Sequence, residues 1–197
     1  MIIQLLLIGY VLTYIFETNS NYIVIAVLSI MLLSASWISL GTTSLPRRIL
    51  LVNAINAIVI GGVTVLIIMT QAVLTINPWY DPSYLIPLAG MIFANCMNGI
   101  SLAAERLESE LNQGKSFKEA KVIALKTSLI PITNMLLAVG LVSLPGMMTG
   151  QILSGVSPMI AVRYQIMVMC MFFGSTGISV AVFLQSVRGH FNNKEIS

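Results

Sequence analysis

Apolar residues run along this chain in six blocks set apart by shorter polar stretches: Met1 to Phe16, Tyr22 to Leu40, Ile49 to Ile76, Tyr84 to Ala104, Leu129 to Leu144 and Gln165 to Val187. Uncharged runs of about 18 residues or more read as helices that cross a bilayer, because only lipid accepts so continuous an apolar surface. The pattern predicts an all-α fold, a polytopic transmembrane helical bundle of about six spans, as a single membrane domain over residues 1–197. The first block covers only about 24 Å at 1.5 Å per residue, short of the roughly 30 Å hydrocarbon core. It reads as a helix missing its beginning, and not as a signal peptide: no basic residue precedes it and no small-residue cleavage site follows.

Composition sharpens this picture. Of 197 residues, 57% are hydrophobic and 9% charged, far below the roughly 25% charged of an average soluble domain. A net charge of +3 would suggest nucleic acid in a soluble protein, but here the placement of the cations decides. Lys and Arg mark cytoplasmic loops. Arg47 and Arg48 follow the second block, Arg106, Lys115, Lys118, Lys121 and Lys126 the fourth, and Arg188 and Lys194 the sixth, leaving only Arg163 on the other side with Glu17 and the Pro78-Trp79-Tyr80-Asp81 turn. Both termini are expected in the cytoplasm, with the chain in the cell membrane, lipid around it and no nucleic-acid partner. Cys96 and Cys170 lie in apolar blocks without metal-type spacing and are expected to be buried free thiols.

The 105–128 segment carries more than half of all charges and reads as two short helices. Leu107 and Leu111 share a face, Gly114 supplies a C-terminal stop, and Ser116-Phe117-Lys118-Glu119 fits the S-x-x-E capping box that starts a new helix. Phe117, Ala120 and Ala124 share its less polar face. Such an elbow, leading through Leu129-Ile130-Pro131 into the next span, suits docking on a separate ATPase; an amphipathic pair lying on the bilayer surface fits the same residues.

Further on, Leu144-Pro145-Gly146-Met147-Met148-Thr149-Gly150-Gln151, with Gly155 and Pro158, is apolar yet rich in helix breakers. It reads either as a re-entrant turn beside a water-filled path, where broken backbone is tolerated, or as an extracellular loop with a short surface helix. Asn53 and Asn56 share one face of the third block, Asn95 and Asn98 one face of the fourth. Such amides either coordinate a substrate or hydrogen-bond neighbouring helices. Gly174, Ser175, Thr176, Gly177 and Ser179 form a candidate packing face. Twelve methionines admit soft-metal ligation through thioethers, or simply fill an irregular core.

No P-loop, H-E-x-x-H or G-x-S-x-G pattern is present, and the single histidine, His190, falls in a polar tail. No span carries an Asp, Glu, Lys or Arg near its centre, unlike proton-coupled carriers. The chain is therefore expected not to be an enzyme, and active transport would draw its energy from a partner.

The runs Pro87-Leu88-Ala89-Gly90-Met91-Ile92 with Asn95, Gly140-Leu141-Val142-Ser143-Leu144-Pro145-Gly146-Met147-Met148-Thr149-Gly150, and Ala161 through Tyr164-Gln165-Ile166-Met167-Val168 resemble the FetB-type iron-export ABC permeases, a family similar to a plant transporter subunit linked to aluminium tolerance. The resemblance runs from Ile3 to about Val187, and the chain begins where family members usually already have a further apolar helix and a basic connector. The Gly114 to Pro131 segment also loosely resembles the coupling loop of ABC importers, although Glu119-Ala120 here follow the glycine. The resemblance implies a dimeric permease, a separate ATP-binding subunit that carries ATP and Mg, no cofactor on this chain, and export of iron or a related metal. On that reading Glu105, Leu107, Leu111, Gly114, Ser116, Phe117, Glu119 and Ala120 form the coupling surface, while Asn95, Asn98, Pro145, Gly146, Met147, Met148, Gly150 and Gln151 line the path. Metal ligands are not assigned. The rival expectations are an ATP-independent carrier and a non-transporting membrane scaffold.

Overall fold

The computed structural model describes residues 2–17, 20–43 and 47–188; His190 and Lys194 lie outside them. The helices are α1 (Ile2–Glu17), α2 (Asn21–Ser39), α3 (Arg47–Ile58), α4 (Thr64–Ile67), α5 (Pro82–Asn112), α6 (Phe117–Ala138), α7 (Gly146–Leu153) and α8 (Pro158–Ser186), with π-helical turns over Val59–Val63 and Ile68–Val73 flanking α4. Five helical segments are long and apolar enough to cross a membrane: Asn21–Ser39, Leu50–Val73, Pro82–Asn112, Phe117–Ala138 and Pro158–Ser186. With its 16 residues, α1 spans about 24 Å. The all-α membrane bundle expected from the apolar blocks is the fold observed.

Helices α5 and α8 form its centre. The former packs on α2, α6 and α8, and the latter also meets α3, the first π turn, α6 and α7. Ile92 and Ile100 of α5 and Val180, Phe183 and Leu184 of α8 are fully buried there. Large apolar side chains on the outside, among them Ile30, Leu33, Val52, Ile130 and Phe173, form the extended apolar exterior that water would not support and lipid does.

Two features of the 105–128 segment differ from the expectation. It is not a loop with two independent short helices. Glu105 to Asn112 continue α5, a helix of 31 residues and about 46 Å; Phe117 to Lys126 are the beginning of α6. Nothing between Ala104 and Asn112 breaks a helix, and Ala103, Ala104, Leu107 and Glu110 keep an inward stripe, so the helix leaves the apolar layer and carries on. Likewise α6 starts well before Leu129 and accommodates Pro131 inside it, while α8 starts at Pro158 rather than Gln165.

The turn itself follows local chemistry. Gly114 takes φ +81°, its N–H bonds the Leu111 carbonyl at 3.0 Å and the Lys115 N–H bonds the Glu110 carbonyl at 3.3 Å, the paired bonds of a Schellman stop. Two residues later the capping box forms: the Glu119 N–H donates to Ser116 Oγ at 3.4 Å and the Ser116 N–H to Glu119 Oε2 at 3.2 Å. The Ser116 hydroxyl and backbone hold the Glu119 carboxyl below its ordinary pKa. A carboxylate with a depressed folded pKa contributes above its unfolded pKa, and that contribution fades as pH falls through the folded value. Ser116→Ala is therefore expected to lower the thermal midpoint by a few degrees near neutrality. The gap to the parent protein should narrow in acid, read from unfolding scans of both proteins across the carboxylate range; a pH-independent gap would contradict the coupling.

Candidate functional site

Polar side chains gather at two places: the end of the bundle that holds the α5–α6 turn, and the seam between α6 and α8.

At the turn end, Glu110 is fully buried and ion-paired to Arg106 Nη2 at 2.5 Å and to Lys115 Nζ. A carboxylate out of water demands this kind of compensation. Around it the turn is tied to its neighbours. Thr43 Oγ1 donates to Glu108 Oε2 at 2.6 Å, Thr42 and Ser101 hydroxyls lie 3.0 Å apart, and Lys121 donates to Gln185 of α8. The residues expected to form a docking surface divide by burial. Leu107, Phe117 and Ala120 point into the protein's own core and Leu111 is half-buried, whereas Glu105, Gly114, Ser116 and Glu119 are exposed. The apolar members thus clamp α5 to α6, and the surface offered outward is the tip, including Asn112, Gln113 and Lys118. Glu110 as a hub was hidden in the sequence among four neighbouring charged residues; its spacing from Leu107 and Ala103, at i−3 and i−7, is the one signal that it faces inward.

Along the α6–α8 seam lie two cavities. The inner one, about 110 Å³, is lined by Asn95 and Asn98 of α5, Ser128 and Met135 of α6 and Thr176 of α8. Thr176 is 3% exposed and its Oγ1 has no hydrogen-bond partner, while Asn95 donates to the Met91 carbonyl at 2.8 Å. Asn95 and Asn98 therefore do share one cavity, with Ser128, which the sequence did not single out, and Thr176, expected there only as part of a packing face. By contrast, Asn56 of the third block is exposed, and Asn53 is half-buried with an unpartnered Nδ2.

The outer cavity, about 400 Å³, is bounded by the end of α6, the turn after it, α7 and the first half of α8; Met148, Gln165, Met169 and Cys170 contribute its polar and sulfur atoms. From Cys170 to Thr176 is about 9 Å of helix, so the chambers follow one another along the seam. Of the breaker-rich stretch, Leu144 and Met148 reach this cavity; Pro145, Gly146, Met147, Gly150 and Gln151 are not on its wall. The stretch forms the short α7 packed on α8. Pro145 accepts the first turn's N–H from Thr149 at 2.9 Å, Met147 is exposed, and Gln151 Oε1 is buried without a partner. Gln165, 4% exposed with an unpartnered Oε1, went unremarked as a polar residue inside an apolar block. Cys170 corrects the expectation of two buried thiols: Cys96 is buried, Cys170 exposed, because the α8 face it shares with Ile166 opens on the cavity. Among the described residues no group of three or more His, Cys, Asp or Glu could hold a metal ion.

A bundle with an apolar exterior, several membrane-length helices and polar side chains concentrated at one end and along one seam defines an α-helical multi-pass membrane protein. The chain belongs to the family described as "Uncharacterised protein family (UPF0014)", which it matches over residues 1–191. Among curated relatives, the UPF0014 membrane protein slr1647 of Synechocystis is 36% identical over 98% of this chain and 81% of its own length. A protein of Escherichia coli named "Probable iron export permease protein FetB" is 30% identical over 98% of this chain and 79% of its own. Protein ALUMINUM SENSITIVE 3 of Arabidopsis thaliana is 30% identical over 90% of this chain and 69% of its own. No solved structure matches the chain.

Proposed function

We propose that this chain is the membrane-spanning permease subunit of an ATP-driven exporter, moving iron or a related metal ion out of the cell. ATP and Mg sit on a partner subunit, and a second copy of the chain completes the permease. The similarity to the relative named as an iron export permease, which extends over 98% of this chain, carries the reading. The α5–α6 turn supports it: a rigid projection capped on both sides of Gly114 and tied by Lys121 to Gln185 of α8 can pass a displacement at its tip into the helices that line both cavities. In this reading the turn, Arg47, Arg48 and Arg188 face the cytoplasm, in keeping with the positive-inside rule, and the seam from the inner amide-hydroxyl chamber to the outer one is the path.

The test is affinity purification of the tagged chain from its native membrane beside a tip variant, Asn112→Arg with Lys118→Glu, both at exposed positions. A P-loop ATPase is expected to come with the parent chain and to fall by about tenfold or more with the variant, both proteins eluting as single species. A monodisperse parent chain without any ATPase would overturn the reading in favour of a carrier or a scaffold, which metal flux in vesicles then separates.

A further inference from the structure

We propose that the outer cavity is a binding site for a thiophilic monovalent cation, held by the Cys170 thiolate, the Met148 and Met169 thioethers and the Gln165 amide oxygen. As a statement about binding it concerns this chain alone; its place in transport rests on the permease reading above.

The argument begins with what lines the chamber. Gln165 and Met169 stand one turn apart on α8, Cys170 follows on the adjoining row, and Met148 faces them from α7. Three sulfur-bearing side chains around one chamber are a soft donor set, suited to ions that prefer thiolate and thioether over oxygen. The second observation is independent of sulfur. Gln165 is 4% exposed and its Oε1 has no partner, and leaving a buried acceptor unsatisfied costs about 1–3 kcal/mol. Gln165 lines the chamber, and a turn of its amide toward that space lets a bound cation satisfy the oxygen.

Charge then selects the class of ion. No Asp, Glu, His, Lys or Arg lines this cavity, so a hard divalent ion can pass through it with its hydration water but is not held there, because stripped of that water it would bring two charges against an apolar wall with almost nothing to offset them. One group on the wall can become an anion. On binding, the Cys170 S–H bond breaks, the proton leaves to solvent and the sulfur pair forms the bond to the metal, Cys–SH + M⁺ → Cys–S–M + H⁺, so that the complex is neutral without any redox step. The chamber exceeds the size of a bare ion. Methionine side chains, flexible and polarizable, can close on it from both walls.

The other thiol supplies an internal control. Cys96 is buried in the α5–α8 interface, where the Ser179 hydroxyl donates to its sulfur at 3.2 Å.

The purified full-length chain, in detergent micelles and chloride-free weak buffer, is titrated with silver nitrate as the probe, by calorimetry and by proton release. One Ag⁺ should bind per chain with release of one proton. Cys170→Ser should abolish that event and Cys96→Ser leave it unchanged. Met148→Leu with Met169→Leu, changes that nearly conserve volume, should weaken it by about tenfold or more at the same elution volume. Undiminished affinity in the double methionine variant would reduce the event to simple thiol capture and overturn the site. Binding that survives Cys170→Ser but not Cys96→Ser would overturn it too, as would a co-purifying apolar molecule in the cavity that silver does not displace. No arm involves an ATPase, so a chain that binds silver but brings down no ATPase refutes only the permease reading, and the converse result refutes only this one.

Discussion

Gly61→Val should abolish most of the yield of folded protein, while Gly177→Ala leaves it intact. A Cβ at Gly61 would lie 2.2 Å from Ser179 Oγ, 2.6 Å from Ser179 N and 2.9 Å from Ser175 O. Two of those three atoms are backbone, so the clash is not relieved by turning a side chain; the π turn and α8 must separate. Overpacking a core usually costs about 1–3 kcal/mol, and a clash against backbone belongs at or above the top of that range. Helix α8 is approached as closely from the α5 side, where a Cβ at Gly99 would meet Thr176 Cγ2 at 2.6 Å. Between membrane helices there is little hydrophobic drive, and close approach through small residues supplies the attraction; removing it at the centre of the bundle removes what replaces a hydrophobic core. At Gly177 an added Cβ meets nothing within 4 Å, and alanine there also favours the helix by up to about 1 kcal/mol. The measurement is the monodisperse fraction and thermal midpoint of each variant in detergent. A Gly61→Val protein that elutes and melts like its parent would refute this account of the interface.

That contrast also shows what the sequence disclosed and where it stopped. The run Gly174 to Ser179 was legible as a small-residue face, yet Ser175, Thr176 and Ser179 do the packing and both glycines stand clear, because helix rotation is decided by partners far away in the chain. Five of the six apolar blocks correspond to membrane-length helices and the first to the shorter α1, since the bilayer imposes length. Gly114 and Ser116-x-x-Glu119 were legible because stops and caps act over a few residues. Helix lengths were not. Charge was read as the end of α5, whereas a helix ends where its backbone is broken or capped, and Glu110 shows that a charged residue can face inward when cations flank it, Arg106 before and Lys115 after. The two π turns left no signature beyond Gly61 and Gly62. In the candidate path, Asn95 and Asn98 were visible as a pair on one face; Ser128 and Thr176 join them only through the packing of α6 and α8 against α5, and Gln165 lines the outer cavity only through the packing of α6 and α7 on α8.

Removing both cations from the Glu110 hub should destabilise the protein more than removing Glu110 itself. In Arg106→Gln with Lys115→Gln the carboxylate stays at zero exposure with neither of its ion-pair partners, since Arg106 and Lys115 are the two cations paired with it. Breaking a buried pair from one side costs about 3–5 kcal/mol. Both cations keep about two-fifths of their side-chain surface in solvent, 43% for Arg106 and 41% for Lys115,, which screens their attraction and points to the lower end of that range. In Glu110→Gln, by contrast, the two cations keep their partial exposure to solvent and the amide fills the same space, so the loss should be clearly smaller. Each single cation variant leaves the other in place, and the two effects should combine more than additively, as expected for groups sharing one partner. Because the hub fixes the last turn of α5 and the Gly114 stop, limited proteolysis should cut near residue 114 fastest in the double variant. Thermal midpoints of the four proteins, set beside those cutting rates, decide the matter. If Glu110→Gln proves the most damaging of the set, the carboxylate is doing something other than answering Arg106 and Lys115, and the turn is held by its apolar clamp of Leu107, Phe117 and Ala120 instead.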